Sequence, residues 1–361
     1  MRLRRLWLAD FRNYESAEVD LAPGLTAVIG RNGHGKTNLL EAVGYLATLS
    51  SLRGAPGEAL VRTGAERAVV RGEGERGGRD LLLEAEIATG GRGRALINRQ
   101  PLRRTRDLLG ALRVSVFSPD DLELVKGGPG ARRRWLDDVL VAEHPAHDAL
   151  RSDVERILRQ RASLLKQSGG RLSAEVELTL DVWDTKLAEA GEALGRARAQ
   201  LVTRLAPQLS EAYGSVSESC TPVTAVYEPE WAAAGLDAAL RAARRDDLRR
   251  GVTTVGPHRD DLVLELHGLP ARTHASQGEQ RSLALALRLA AHSVVTTAAG
   301  EPPVLLLDDV FSELDERRSA ALLGALPPGQ TLLTTAGRLP AGAAPEAVLR
   351  IDAGRVLPAG R

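Results

Sequence analysis

Apolar residues follow two different periods along this chain, and each period predicts a different secondary structure. Over residues 3–29 and 66–98, short apolar runs alternate with polar or glycine-rich stretches, as in strands joined by turns. In the second region, glycine-rich segments at 72–74, 77–78 and 90–91 separate the runs and predict the turns of an antiparallel meander.

Beyond Pro129 the period changes to that of a helix. Apolar residues recur every three or four positions, and Ser168-Gly169-Gly170 interrupts the series. The series then continues with the 4-3-4-3-4 spacing of a helix seam, at Trp183, Leu187, Ala190, Leu194, Ala197 and Leu201. Two helices folded back at a glycine turn would form a short arm within residues 131–205. A shorter helix is predicted over 105–112.

Strands and helices alternate toward the C-terminus. The pattern predicts strands over 262–266, 303–307 and 331–334, and helices over 280–295 and 314–323. The run 303–307 is apolar throughout, as in a strand buried in the middle of a parallel sheet. The alternation predicts an α/β fold with a doubly wound sheet.

The segment between the strand that ends at Ile29 and the helix that follows carries the strongest chemical signal. It reads Gly30-Arg31-Asn32-Gly33-His34-Gly35-Lys36-Thr37, and Asn38 continues into the helix, which is the context of a P-loop. The glycines let successive N–H groups point at an anion, and the helix start adds the positive end of its dipole. Lys36 is placed to reach the β- and γ-phosphates, and Thr37 to bind Mg²⁺. The segment predicts a nucleoside triphosphate site; the alternative is a glycine loop that only caps the helix.

Leu305-Leu306-Leu307-Asp308-Asp309 has the form of a Walker B strand. Asp308 would hold Mg²⁺ through water, and Asp309 could orient or deprotonate the attacking water. Because the P-loop and this strand lie near opposite ends of the chain, we expect a split nucleotide-binding head. Its parts are 1–125 and 251–361, and a helical lobe with the arm, 126–250, interrupts it.

A third segment, Ser276-Gln277-Gly278-Glu279-Gln280, begins the helix predicted over 280–295. A serine hydroxyl and a glycine N–H at a helix N-terminus can hold phosphate oxygens, and a capping box with Glu279 is the plainer alternative. One sheet cannot easily aim two helix N-termini at the same γ-phosphate. The geometry therefore suggests that another subunit supplies the second one.

Composition narrows the classes of function. The formal net charge is +1, so nucleic-acid binding would need a local basic patch, and 3% aromatic residues argue against an aromatic sheet that reads single strands. Cys220 is the sole cysteine, which argues against a disulfide framework or a Cys-based metal site. No signal-peptide core stands near the N-terminus, and no apolar run approaches a membrane span. We expect a cytoplasmic protein without a membrane partner.

The order of the motifs resembles the ABC-type ATPase head, with Ser312-Glu313-Leu314-Asp315 as its D-loop. Finer matches resemble the RecF family of bacterial DNA-repair proteins. They are LADFRNY at 8–14, SPDDLELVKG at 118–127, RRRWLD at 132–137, GPHRDDL at 256–262 and DDVFSELD at 308–315. The resemblance implies a P-loop head with inserted antiparallel strands and a helical lobe that carries a short antiparallel arm.

The resemblance also implies a function. Such proteins bind ATP and Mg²⁺, dimerise head to tail around two nucleotides, and bind DNA as dimers. With RecR and RecO they load RecA at gaps and at junctions of single- and double-stranded DNA, in recombinational repair, replication restart and SOS induction. The implied roles are contact of Ser276 to Gln280 with the partner's ATP, Asp315 at the dimer seam, and hydrolysis through Lys36 and Asp309 that releases the clamp.

Three departures from the ABC pattern point to slow hydrolysis used as a timer. Asp309 stands where transporters usually have Glu, so it must act through a more distant water. No Gln occurs near Phe117-Ser118-Pro119, where the Q-loop would fall, and Thr334-Thr335-Ala336 stands where many heads carry a switch His. We expect a weak, DNA-dependent ATPase.

Candidate DNA contacts are basic residues next to glycines or in clusters, which could bind phosphates without sequence preference. They are Lys126, Arg132, Arg133 and Arg134, with a second cluster at Arg241, Arg244, Arg245, Arg249 and Arg250. The alternative for both clusters is a solvated helix face. His34 is predicted to be a tolerated spacer, and His258-Arg259 to serve either turn geometry or the nucleotide and dimer interface.

Two other functions compete with DNA repair. An ABC transporter subunit would copurify with membrane proteins and hydrolyse ATP quickly. A chromosome-structure ATPase related to the SMC proteins would need coiled-coil arms many times longer than this chain allows.

Overall fold

The computed structural model describes residues 1–90, 93–217, 219 and 221–357. Gly91 of the third predicted turn and the single cysteine, Cys220, lie outside these residues. The chain divides into two compact units. The head unit comprises Met1–Asp121, Glu211–Cys220 and Ser282–Arg361, and the helical unit comprises Leu122–Ser210 and Thr221–Arg281. The helical unit thus extends past residue 250, where the sequence pattern placed its end, and includes the segment 276–280.

The strands form one antiparallel and one mainly parallel sheet in the head unit, and one small sheet in the helical unit. They are β1 (Arg2–Phe11), β2 (Tyr14–Asp20), β3 (Leu25–Ile29), β4 (Arg67–Arg76), β5 (Arg79–Ala88), β6 (Arg94–Ile97), β7 (Gln100–Pro101), β8 (Val114–Phe117), β9 (Val223–Val226), β10 (Val263–Leu266), β11 (Leu269–Pro270), β12 (Val304–Asp308), β13 (Thr331–Thr335), β14 (Ala347–Asp352) and β15 (Arg355–Leu357).

The α-helices of the described residues vary widely in length. They are α1 (Lys36–Thr48), α2 (Glu123–Lys126), α3 (Pro129–Glu143), α4 (His147–Gln167), α5 (Ala174–Ser217), α6 (Leu236–Arg250), α7 (Ala271–His274), α8 (Gln277–Ala299) and α9 (Glu316–Ala325). Short 3₁₀ helices follow several strands and loops, at Gly57–Leu60, Thr105–Leu108, Pro119–Leu122 and Val310–Glu313.

The antiparallel sheet of the head unit has the order β2-β1-β4-β5-β6-β7. The predicted turn at Gly72-Glu73-Gly74 is wrong, because both glycines lie inside β4. They are needed for close packing. A Cβ on Gly72 would approach a methyl carbon of Leu46 to 2.9 Å, and one on Gly74 would lie 2.3 Å from the carbonyl oxygen of Arg2. Glycine here admits a neighbouring strand and helix instead of turning the chain.

The second sheet of the head unit has the order β15-β14-β3-β13-β12-β8, with β14, β3, β13, β12 and β8 parallel. This confirms the predicted α/β fold. Parallel strands end at a common edge, and the register places Thr335 beside Ile29 and Asp308 beside Thr334. The P-loop that follows β3 therefore starts at the same sheet edge as the end of the Walker B strand, β12, with only β13 between the two strands.

Side chains alternate between the two faces of the parallel sheet. On one face, Leu306 and Leu332 join a core cluster with Leu39 and Leu46 of α1 and Leu6 of the antiparallel sheet. The other face belongs to a second cluster that includes residues of α8 and α9, namely Leu305, Leu307, Leu333, Leu285, Leu289 and Leu322. Helix α1 thus packs between the two sheets, and its buried residues Leu39 and Leu46 contact the core cluster.

The predicted arm of the helical unit corresponds to α4 and α5. Arg161 of α4 pairs with Asp184 of α5, and Leu165 shares a cluster with Leu180. Moving four residues forward in α4 moves four residues back in α5, so the helices run antiparallel. Arg161 is fully buried and also donates to Asp247 at 2.6 Å. A buried charge is tolerated here because carboxylates surround it.

Two further expectations need correction. The helix predicted over 105–112 is only the 3₁₀ turn Thr105–Leu108, because Leu109 leaves the helical conformation and Gly110 has a φ of 80°. Within the described residues, α8 is long and apolar enough to cross a membrane, although the sequence pattern suggested no such run. Its most apolar window is 67% buried inside the protein, as expected for the core helix of a globular fold.

Candidate nucleotide-binding site

The P-loop joins β3 to α1 at the carboxyl edge of the parallel sheet. Gly35 stands immediately before the helix with a φ of 117°, a conformation that favours glycine. Gly30 leaves room for the neighbouring strand, because a Cβ there would lie 2.3 Å from the carbonyl oxygen of Ile351. Gly30 and Gly35 are therefore required by the path of the backbone itself.

The side chain of Lys36 is buried and folds back over the loop. Its Nζ donates to the carbonyl oxygen of Arg31 at 3.1 Å and to Oδ1 of Asn32 at 3.4 Å. Burial lowers the pKa of Lys36, and the charges of Asp309 and Asp308 act in the opposite direction. The ammonium group thus donates to oxygens of the loop. The oxygens of a bound phosphate would be stronger acceptors for it.

Asp308 is the centre of a hydrogen-bonded group at the sheet edge. Its Oδ1 accepts from the hydroxyl of Thr37 at 2.8 Å and from that of Thr334 at 2.7 Å. Burial raises the pKa of Asp308, and the two hydroxyl donors and the charge of Arg53 oppose that shift. Sequence reasoning paired Thr37 with Asp308 as a metal site but missed Arg53, which follows α1 in a loop without a recognised motif.

Thr334 links Asp308 to the proposed catalytic residue. Its hydroxyl accepts from the backbone N–H of Asp309 at 2.9 Å while it donates to Asp308. Asp309 has a φ of 52°, unusual for a residue other than glycine, and its Oδ1 is buried with no hydrogen-bond partner among the described residues. Strained, unsatisfied polar groups of this kind are typical of functional positions.

These residues fit a magnesium ion that is bound mainly by water and phosphate. No group of three or more His, Cys, Asp or Glu side chains that could hold a metal occurs in the described part of the chain. Mg²⁺ in nucleotide sites needs only one or two protein oxygens. Thr37 Oγ1 and Asp308 Oδ1 are such oxygens, and the unpartnered Oδ1 of Asp309 is an acceptor for a water.

The polar turn at Asp10–Glu15 lies against the P-loop. Asn13 donates to the carbonyl oxygen of His34 at 3.0 Å, and the hydroxyl of Tyr14 donates to that of Gly35 at 2.9 Å. Arg12 forms an ion pair with the buried Glu41 of α1. The two aromatic residues of this turn are fully buried, so the segment is more than a hairpin corner.

His34 also has a partner, which corrects its assignment as a spacer. Its Nδ1 lies 2.7 Å from Oδ1 of Asp352, and its carbonyl oxygen accepts from the N–H of Gly354 at 2.9 Å. Both partners belong to the turn between β14 and β15. The sequence gives no signal for this contact, because it joins residues more than 300 positions apart.

The segment 276–280 begins α8 and belongs to the helical unit. Ser276 and Glu279 form a capping box, in which Ser276 N donates to Glu279 Oε2 at 2.7 Å and Glu279 N donates to Ser276 Oγ at 3.3 Å. Gln280 is buried and donates to the carbonyl oxygens of Ala271 and Arg272. Ser276 and Gln277 remain exposed.

The predicted D-loop follows Asp309 directly. The Ser312 hydroxyl donates to the carbonyl oxygen of Asp309 at 2.7 Å, and Asp315 caps α9 by accepting from Arg318 N at 2.8 Å. The backbone of Glu313 ends the 3₁₀ helix, and Leu314 packs against the core cluster of the head unit. Ser312 thus ties the D-loop to the Walker B end.

Comparisons with known proteins agree with this arrangement. Residues 2–331 match the model of the RecF/RecN/SMC N-terminal domain. A protein of Streptomyces avermitilis described as "DNA replication and repair protein RecF" is 47% identical over 351 residues, with 93% of each chain covered. The chain belongs to the RecF family. A protein of Kineococcus radiotolerans with the same description is 46% identical, also with 93% of each chain covered.

Solved structures support the family and the fold. The structure described as the "recombination mediator protein RecF-ATP in RecFOR pathway" is 29% identical, covers 98% of this chain and 96% of its own, and has a TM-score of 0.89. An Smc head domain from Pyrococcus furiosus is 17% identical, with 98% and 94% of the chains covered and a TM-score of 0.56. The likeness to the Smc head is one of fold alone.

The structure changes the set of candidate DNA contacts in this RecF family member. Arg132 is buried, makes a double hydrogen bond to Asp261 and donates to the carbonyl oxygen of Gly127. Its guanidinium is thereby occupied inside the helical unit, which corrects the expectation that it contacts phosphate. Arg133 donates to the carbonyl oxygen of Asp260 at 2.7 Å, and its burial lowers its pKa. Arg134 is exposed.

The other basic candidates divide in the same way. Lys126 ends α2 and is half-buried. In the second cluster, Arg244 pairs with Asp181 and Asp184, whereas Arg245 and Arg250 are exposed. The cluster is therefore partly an internal ion network and partly a solvated face.

The remaining motif, at 256–262, folds as a turn. Gly256 has a φ of 128°, and both His258 and Arg259 contact the carbonyl oxygen of Thr253. Burial lowers the pKa of His258 to about 4. In the following residues, the carboxylate of Asp260 accepts from Tyr227 and Trp231, which anchors the turn in the helical unit.

Proposed function

We propose that this RecF family member is an ATP-dependent, DNA-binding recombination mediator. The observation that carries the proposal is the joint placement of Lys36 in the glycine loop and Thr37 on Asp308 at the edge of one sheet. This arrangement suits a magnesium-bound triphosphate, and a solved RecF structure is described with ATP. Lys36 would neutralise phosphate charge, and Thr37 and Asp308 would hold the ion.

The second part of the proposal is a dimer that closes around ATP. The start of α8 offers the hydroxyl of the exposed Ser276 and the N–H of Gly278, and in the capping box the Ser276 hydroxyl oxygen accepts from Glu279 N. A partner's triphosphate would be a stronger acceptor for these donors. In a dimer with twofold symmetry each copy supplies one P-loop and one α8 start, so two equal sites would form.

The third part concerns DNA. Exposed Arg134, together with Lys126 and the exposed Arg245 and Arg250 of the second cluster, would contact phosphates without reading bases. We propose that the ATP-bound dimer recognises gaps and junctions of single- and double-stranded DNA, and that it acts with RecR and RecO to load RecA. Slow hydrolysis through Asp309 would then release the clamp.

Sedimentation of wild type and Lys36→Arg, with and without ATP and a gapped duplex, tests the proposal. We expect ATP with Mg²⁺ to convert wild type to a dimer with at least tenfold higher DNA affinity. Lys36→Arg places a bulkier, planar cation in the loop and should respond weakly. Lys186→Arg is the matched control, because Lys186 lies over the ring of Trp183 in the helical unit. A wild type that stays monomeric and gains no DNA affinity with ATP would refute the proposal.

Neither competing function gains support. The apolar helix α8 is largely buried inside the protein, so it adds no support for a membrane-associated transporter subunit. Helices α4 and α5 have 21 and 44 residues, far short of the arms of a chromosome-structure ATPase.

A further inference from the structure

Two turns from distant parts of the head unit bind the outside of the P-loop. The first is the β1–β2 turn, which contributes Asn13, and the second is the β14–β15 turn, Asp352–Gly354. We call these the clasp. Asn13 Nδ2 and Gly354 N both donate to the carbonyl oxygen of His34, at 3.0 and 2.9 Å. Asp352 binds the His34 ring.

The clasp acts on the one peptide of the loop end that α1 does not orient. The carbonyl oxygen of Gly35 accepts from Leu39 N at 3.0 Å as the first bond of the helix. The carbonyl of His34 has no such helical donor; its described partners are Asn13 and Gly354. Without the clasp, the peptide between His34 and Gly35 would be free to rotate.

Because the peptide between His34 and Gly35 is planar, the direction of the His34 carbonyl determines the direction of the Gly35 N–H. No peptide bond in the described chain is cis, and in a trans peptide the C=O and N–H point in opposite directions. Fixing the His34 carbonyl outward therefore fixes the Gly35 N–H on the opposite side. In a P-loop, such N–H groups are the donors that surround the phosphates.

Packing shows that the clasp is tightly fitted. Asn13 is oriented at both ends of its amide, since its Oδ1 accepts from Asn38 Nδ2 at 2.8 Å while Nδ2 donates to His34. A Cβ on Gly354 would lie 2.2 Å from the carbonyl oxygen of Asn13, and one on Gly35 would lie 2.7 Å from Asn13 Nδ2. The turns and the loop therefore cannot shift independently.

We propose that Asn13 and the β14–β15 turn are positioning elements for phosphate binding, which aim the Gly35 N–H without touching the nucleotide. The inference rests on the proposed function, because it assigns these residues to the same triphosphate site. Without the clasp, the Gly35 N–H is no longer oriented before the anion binds. The phosphates then bind more weakly, while the fold remains.

The test uses two variants that loosen the clasp from opposite sides. Asn13→Ala removes the side-chain donor without adding charge, and Gly354→Ala forces the second turn away from Asn13. Asn98→Ala and Gly342→Ala are the matched controls. Among the described residues, the side chain of Asn98 accepts a hydrogen bond from Leu82 N alone, and Gly342 has a positive φ with open space around it. Calorimetry with Mg-ATP and with pyrophosphate measures affinity, and thermal melting checks the fold.

We expect both clasp variants to weaken ATP and pyrophosphate alike by about 3- to 10-fold, as for the loss of one hydrogen bond, and the controls to stay within about twofold. Without nucleotide, amide exchange of residues 34–36 should become faster in the clasp variants only. Wild-type affinity in both clasp variants, or a loss confined to ATP, would overturn the inference. A wild type that binds neither ligand would instead refute the proposed function, and unchanged exchange would then overturn the clasp separately.

Discussion

The two candidate halves of the nucleotide site differ in how completely the chain builds them. In the head unit, Lys36 donates to a carbonyl oxygen of its own loop, and Thr37 donates to Asp308. Two turns also bind the P-loop backbone from outside. In the helical unit, Ser276 and Gln277 at the start of α8 are exposed, and Ser276 forms a capping box with Glu279.

This difference indicates how each half would bind a triphosphate. A preformed loop can bind a triphosphate within one chain, because the donors are aimed before the ligand arrives. An exposed helix start gains little from the same chain and more from a ligand presented by another copy. We therefore propose that nucleotide binding depends on the head unit and that dimerisation depends on the start of α8.

The largest expected effect is on the exposed half. Ser276→Arg should leave the affinity of the monomer for ATP within about twofold and abolish the ATP-dependent dimer, because a large cation would occupy the space for the partner's loop. Sedimentation with ATP measures the dimer. Thr273→Arg, at an exposed position just before the segment, is the control. Dimers of Ser276→Arg that form as readily as wild type would remove the trans contact.

A smaller effect concerns pH and compares one buried histidine from each unit. Burial lowers the pKa of His292 in the head unit and of His258 in the helical unit, each from 6.5 to about 4. The unfolded chain then binds more protons than the folded one between these values. Stability should therefore fall as the pH falls from about 6.5 to about 4, by about 3 kcal/mol for each residue.

Urea unfolding between pH 4 and 8 measures this slope for wild type, His292→Gln and His258→Gln. Each substitution should remove its own share of the pH dependence, because glutamine does not titrate in this range. An unchanged slope in both variants would mean that neither histidine is the source. The two shares should add, since the residues lie in different units.

The smallest expected effect concerns the hydrogen bonds of Thr334 in the head unit. Thr334→Val keeps the shape of the side chain but removes the donor to Asp308 and the acceptor for Asp309 N. We expect the free energy of unfolding to fall by about 1 kcal/mol, and Mg²⁺-dependent ATP binding to weaken. Thr331→Val in the same strand is the control, since Thr331 is buried and makes no side-chain hydrogen bond described for this chain. Equal stability of the two variants would contradict the role of Thr334.

Strands β3, β12 and β13 were predictable because apolar runs mark them and the P-loop after β3 has a local signature, whereas β14 and β15 were not predicted. Strand β12 and helix α8 were recognised within a few residues of their ends. The antiparallel sheet was harder. Gly72 and Gly74 suggest a turn in isolation, and only the approach of Leu46 and Arg2 explains why glycine occupies a strand there.

The sequence alone determined the chemistry of the site, since the P-loop and the Walker B strand each depend on a few consecutive residues and their own backbone. Tertiary structure decided which side chains serve that chemistry. It joined His34 to Asp352 and Thr334 to Asp308, and it buried Arg132 against Asp261. Such pairings depend on where distant segments meet in space, and local propensity carries no record of those distances.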